Sequence, residues 1–168
     1  HPMQLDLWIR LAGSLGFLTG VWATQLKGAR NYKLALLLST ACWTVQAELL
    51  DQRSGAFMIA WGGVRLAISI WTDRLSAKYK TQFAALFIAL GMLLFGLSND
   101  GQTSALLVLV ASSLATYGYF CLNTNSLRDL LMLTSSLCVV YGVIIGSYEI
   151  ALFNLLMCGG NLLYKLRH

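Results

Sequence analysis

Apolar runs succeed one another along almost the whole chain, broken only by short polar gaps. Seven runs fall at about 7–25, 34–50, 55–72, 83–98, 105–121, 130–146 and 149–165. A bilayer-crossing helix needs roughly 20 apolar residues, with about 17 as the lower limit, and several of these runs sit close to that limit. Backbone groups inside hydrocarbon must bond internally, so the runs are expected to be helices. Barrel strands would alternate polar and apolar residues, and these runs do not. Composition points the same way. Of 168 residues 57% are apolar and 11% charged, with a mean hydropathy of +0.65, whereas an ordinary soluble domain carries about 25% charged residues. A soluble globule of this size has too much surface to cover with so few charges. A disordered chain, a nucleic-acid-binding domain and a disulfide-stapled secreted module are excluded. The expected fold class is all-α integral membrane, a single membrane domain over 1–168. His1-Pro2 ahead of Met3 reads as a cloning remnant.

The gaps carry the charge. Lys27-Gly28-Ala29-Arg30-Asn31 combines cations with glycine, and Asp51-Gln52-Arg53-Ser54 is a polar turn. Ser98-Asn99-Asp100-Gly101 is a strong turn signal, and Gly146-Ser147-Tyr148-Glu149 divides a run too long for one crossing. Seven crossings place the termini on opposite sides. Gaps on the C-terminal side hold Lys27, Arg30, Lys33, Arg74, Lys78, Lys80, Arg128, Lys165 and Arg167, nine cations against Arg53 alone on the other side. Under the positive-inside rule that bias predicts an outside N-terminus and a cytoplasmic C-terminus. The net charge of +5 is thus a loop property of a multi-pass membrane protein, and no nucleic-acid partner is implied.

A 96-residue offset aligns the two halves. It pairs Leu34 with Leu130, Leu37 with Leu133, Ser39 with Ser135, Cys42 with Cys138, Phe57 with Phe153, Gly63 with Gly159 and Leu66 with Leu162, seven identities over 33 ungapped positions. The first three crossings would match the last three, with the fourth as a linker. The expected layout is a first three-helix repeat over 5–75, a linker helix over 81–98 and a second three-helix repeat over 103–168. Four crossings separate matched helices, so the two repeats run parallel. This 3+1+3 plan is that of small SWEET-type transporters.

Paired glycines mark corresponding places in the two halves: Trp61-Gly62-Gly63-Val64-Arg65 in the third run and Cys158-Gly159-Gly160-Asn161 in the seventh. Such interruptions serve close helix packing or open the backbone toward a ligand. Asn154 and Asn161 are seven residues apart and share a helix face. They either wall a polar cavity or join helices by hydrogen bonds. Arg65 pairs with Asn161 at the same offset. An intramembrane arginine either binds an anionic group, closes a polar network or snorkels to the nearby cytoplasmic surface. Trp61, one turn away, packs or stacks on a planar ligand. The substrate-binding candidates are therefore Arg65, Asn154, Asn161 and Trp61. Gly13, Gly16 and Gly20 give the first run a small-residue packing face.

Enzyme chemistry finds no support. The two histidines, His1 and His168, are terminal. No metal or haem ligand set, no H-E-x-x-H and no G-x-S-x-G occurs. Cys42, Cys121, Cys138 and Cys158 read as small, buried, reduced residues. No enzyme activity, metal or cofactor is expected.

Several features are shared with one family. A basic loop runs from Lys27 to Lys33, followed by Ser39 to Gln46 with Trp43 at its centre. Then come a short polar turn, a small-residue helix with Arg65, and a last helix with Asn154 and the Asn161 region. The stretch Tyr141-Gly142-Val143-Ile144-Ile145-Gly146-Ser147-Tyr148-Glu149 fits that family's last turn. The whole chain resembles the YgjV-type family of bacterial inner-membrane proteins. In that family an asparagine stands a few residues before the arginine of the third helix, where this chain has Trp61-Gly62. The plan is also similar to that of PnuC-type vitamin transporters. The expected function is a small-molecule transporter or facilitator with a polar site between two three-helix bundles. The alternative is a non-transporting assembly partner or ligand sensor. The expected partners are the lipid bilayer and a small-molecule substrate, with homo-oligomerisation left open.

Overall fold

Each apolar run seeds one helix. The computed structural model describes residues 2–50, 53–98, 103 and 105–168. The helices are α1 (Pro2–Ala23), α2 (Ala29–Leu49), α3 (Arg53–Trp71), α4 (Ala77–Ser98), α5 (Ala105–Cys121), α6 (Thr124–Ile144) and α7 (Tyr148–Arg167), with one 3-10 turn at Thr72–Arg74. No strand occurs among the described residues. The turns expected at Asp51-Gln52 and Asn99-Asp100-Gly101 lie outside them.

Besides α1, which starts at 2 rather than 7, three helices start well before their apolar runs: α2 at 29 rather than 34, α4 at 77 rather than 83, and α6 at 124 rather than 130. Their first turns are rich in Arg, Lys and Asn. Arg and Lys propagate a helix nearly as well as leucine, so hydropathy loses the helix while the backbone continues. The expectation that Lys33 and Arg128 belong to loops is corrected accordingly. Both lie within helices, and they are 1% and 0% exposed.

By length and composition, two described helices can cross a membrane, Ala77–Leu97 and Thr124–Ile144. At 1.5 Å per residue each is about 31 Å long, which matches a hydrocarbon core of about 30 Å. Leu106–Cys121 is apolar but shorter.

Two compact units divide the chain, the first ending at Ile70 and the second beginning at Trp71. In the first, α1 packs on α2 through glycine. Gly16 approaches Cys42 and Trp43 so closely that an added Cβ would lie 3.2 Å from Cys42 Cβ and 3.1 Å from Trp43 Nε1. Ser39 Oγ donates to Gly16 O at 2.6 Å. Gly63 of α3 faces Thr40 of α2, with 3.3 Å left for a Cβ. In the second unit, helices adjacent in sequence pack side by side: α4 on α5, α5 on α6 and α6 on α7. Phe83 and Phe87 of α4 stack on Phe120 of α5 at centroid distances of 6.2 and 5.6 Å. Gly118 brings α5 onto Leu127 and Leu130 of α6.

The α6–α7 turn follows from one glycine. Gly146 takes φ 73, open to glycine without strain. Ser147 N then donates to Gly142 O at 2.8 Å and Gly146 N to Val143 O at 3.2 Å. That pair of bonds is a Schellman stop. The next helix starts so near that a Cβ on Gly142 would stand 2.8 Å from Ala151 N.

The helix starts of α2 and α6, and of α3 and α7, are spaced 95 residues apart, one fewer than the 96 that the identities suggest. α2 and α6 are both 21 residues long, and α3 and α7 start 95 residues apart, at 53 and 148. Five of the six buried positions of each helix agree in this register, Tyr32 with Leu127, Lys33 with Arg128, Leu36 with Leu131, Ser39 with Thr134 and Ala47 with Gly142, while Ala35 and Ser135 face half-buried counterparts. Leu66 matches Asn161, and Ser69 matches Tyr164. One residue turns a helix face by about 100°, so the shift changes every pairing. At a spacing of 95 Arg65 falls opposite Gly160, whereas the offset of 96 sets it opposite Asn161.

Candidate functional site

Asn123 begins the helix that carries the site. Its side chain accepts from Ser126 N at 3.0 Å, satisfying one of the helix's unbonded first-turn amides. One turn on, Leu127 and Arg128 turn inward. Arg128 Nη1 donates to Asn161 Oδ1 of α7 at 3.0 Å. The guanidinium carbon lies 3.7 Å from the centroid of the Tyr164 ring. Asn161 Nδ2 donates back to Met157 O at 3.0 Å, which fixes the amide so that its oxygen faces the arginine. Tyr164 in turn stacks on His168 at 4.6 Å. Asn161 and Tyr164 are three apart, so they share the face of α7 that meets Arg128.

The neighbouring positions do something different. Asp129 and Lys165 form an ion pair on the exposed side of the same two helices. An exposed pair contributes about 0–1 kcal/mol. A hydrogen bond to a charged group contributes about 1.5–3 kcal/mol, and a desolvated cation over a ring about 2 kcal/mol. The inward cluster therefore dominates the α6–α7 contact at this end.

The residues expected to line a site are distributed unevenly. Asn161 sits in the cluster, fully buried. Asn154, two turns back on α7, is half-buried and donates to Ile150 O of its own helix at 2.9 Å. Arg65 and Trp61 belong to the first unit, both half-buried on α3. An added Cβ on Gly62 would lie 3.4 Å from Arg65 Nη2, so the guanidinium lies alongside its own helix there. The paired glycines also part company: Gly63 packs on α2, whereas a Cβ on Gly159 would meet nothing within 4 Å.

Sequence reasoning passed over Arg128, Tyr164 and Lys33. A signal was present. Leu127 and Leu131 continue the 3.6-residue apolar period upstream of the run, and Asn123 is a capping residue placed just before it. The four cysteines are free thiols. Among the described residues no cluster of three His, Cys, Asp or Glu side chains could hold a metal.

Long apolar helices closing on a buried guanidinium define a helical membrane protein with a polar cluster in its interior. The chain belongs to the Imp-YgjV family, described as a bacterial inner membrane protein, whose family model matches residues 7–168. No significant match was found among curated proteins or among solved structures.

Proposed function

We propose that the protein is a small-molecule transporter or facilitator of the bacterial inner membrane. Its seven helices cross the bilayer as two three-helix repeats joined by α4, with the N-terminus outside and the C-terminus in the cytoplasm. The Arg128–Asn161 pair carries this reading. An ionisable side chain fully buried within an apolar helix is costly in a membrane and marks a functional position by default. Asn161 and Tyr164 fix where the guanidinium points, as a binding group requires. Asn154, on the same helix as Asn161, is a further contact for the solute. The reading is passive facilitation, and no enzymatic step is assigned.

One observation favours a second reading, a non-transporting assembly partner or sensor. Asn161 is engaged on both sides, by Arg128 and by Met157, as in a purely structural clamp. A thermal-shift screen of the purified protein against sugars, nucleosides, vitamins and amino acids separates the two. In a transporter at least one solute raises Tm, and Arg128→Lys lowers that gain while the fold survives. A screen in which no solute shifts Tm and Arg128→Lys only unfolds would leave the clamp.

A further inference from the structure

Four helix ends meet at one end of the second unit. Phe83 and Phe87, at the start of α4, stack on Phe120, at the end of α5. Gly118 of α5 lies against Leu127 and Leu130, at the start of α6. Arg128 reaches Asn161 and Tyr164, near the end of α7. Every lysine and arginine of this unit belongs to that end: Arg74, Lys78, Lys80, Arg128, Lys165 and Arg167. No Lys or Arg occurs over 81–127 or 129–164. Arg128 is turned inward, and Lys165 is paired with Asp129. Arg74, Lys78 and Arg167 stand exposed, with Asp73 as the other acid at this end. The opposite end, where α6 turns into α7, carries Glu149 and no cation.

The surface beside these cations is apolar. Trp71 is 79% exposed and Tyr79 55%. Tyr79, Leu86 and Leu93 are exposed at seven-residue steps, so they form one stripe along α4. The stripe is about 21 Å long at 1.5 Å per residue, more than one leaflet of a hydrocarbon core of about 30 Å. The chain belongs to an inner-membrane family, so the stripe meets acyl chains, while indole and phenol rings settle at headgroup level. Trp71 and Tyr79 thus set Arg74 and Lys78 at the depth of the lipid phosphates. Exposed cations at that depth attract anionic lipid. A soluble anion would use the cations alone, whereas a phospholipid uses the stripe as well.

We infer that this basic end of the second unit is a docking surface for an anionic phospholipid. Arg74 and Lys78 hold the headgroup phosphate, Trp71 and Tyr79 flank it, and the stripe from Tyr79 to Leu93 takes an acyl chain. The inference needs the membrane alone. It stands whether or not the protein transports a solute, and whichever side of the bilayer this end faces.

Trp71 is the one tryptophan of this unit and reports on the surface. The full chain is reconstituted in phosphatidylcholine vesicles with a fixed fraction of brominated phosphatidylcholine or brominated phosphatidylglycerol, whose bromines quench indole. The Trp71 signal is the difference between each protein and the same protein carrying Trp71→Phe. Brominated phosphatidylglycerol should bind about fivefold more strongly than brominated phosphatidylcholine, the attraction of roughly one surface cation. Arg74→Gln with Lys78→Gln should bring the ratio to about one, as should high salt. Arg74→Lys with Lys78→Arg should keep it. Equal quenching by both lipids in wild type, or a preference that survives the double Gln variant, overturns the inference. So does a preference abolished by glycerol phosphate but not by sodium chloride of equal ionic strength, which would make this a site for a soluble anion. If the double Gln variant does not reconstitute, Lys78→Gln alone, expected to lose part of the preference, decides it.

Discussion

Arg128 and Asn161 stand 33 residues apart in the chain and 3.0 Å apart in space, guanidinium Nη1 to amide Oδ1, with both side chains closed off from solvent. The bond is asymmetric in its consequences. Asn161→Leu removes the acceptor and leaves a buried charge short of one hydrogen bond. The expected loss is about 2–3 kcal/mol. Asn161→Asp keeps the acceptor in the same place and should melt closer to wild type than the leucine variant. Thermal unfolding of the two variants in detergent checks the order. Equal melting would show that the hydrogen bond contributes little.

The adjacent ion pair should behave in the opposite way. Asp129 and Lys165 face outward, where solvent and salt screen the attraction. Asp129→Asn is expected to cost less than about 1 kcal/mol, and its effect should shrink further as salt is raised. A loss as large as that of Asn161→Leu would mean that this end of α6–α7 is held from outside.

Two glycines with similar sequence settings should give opposite results. Gly142→Ala drives a Cβ to 2.8 Å from Ala151 N and 3.1 Å from Ser147 O. Backbone atoms cannot step aside as a side chain can, so a loss of about 1–3 kcal/mol is expected. Gly159→Ala meets open space. It should be neutral or stabilising by up to about 1 kcal/mol through helix propensity. The two melts, run side by side, test whether α6 and α7 close as tightly at Gly142 as described.

The proposed orientation has its own check. A fluorescent protein fused after His168 should mature and fluoresce, since it folds in the cytoplasm. Alkaline phosphatase at the same place should stay inactive for want of its periplasmic disulfides. The reverse pair of results would invert the topology.

Much of the architecture was legible because hydropathy is a coarse, additive signal. All seven runs gave helices, and Gly146 ended one of them where the turn residues said it would. The polar ends of the helices were hidden for the reason that makes them interesting. Lys33 and Arg128 lie in helical turns that a hydropathy reading assigns to loops, and only packing shows that they face inward. Identities such as Cys42 with Cys138 favour an offset of 96 between the halves, whereas burial and helix starts favour 95. Residues identical by composition bias need not share a face. The two offsets pair Arg65 with different residues, Asn161 at 96 and Gly160 at 95. Asn161 was found from sequence because an amide in an apolar helix stands out by itself. Tyr164 was not, because an aromatic ring in such a helix has many ordinary reasons to be there.

The Gly142 turn and the Arg128–Asn161 contact lie at opposite ends of α6, about 20 Å apart along its axis at 1.5 Å per residue. A helical hairpin fastened at both tips has no slack in between. It swings as one strut, and a nudge at its Ser147 corner reaches the neighbourhood of Tyr164 without being absorbed on the way. Mechanical give in this half of the molecule must therefore come from the joints that flank the strut.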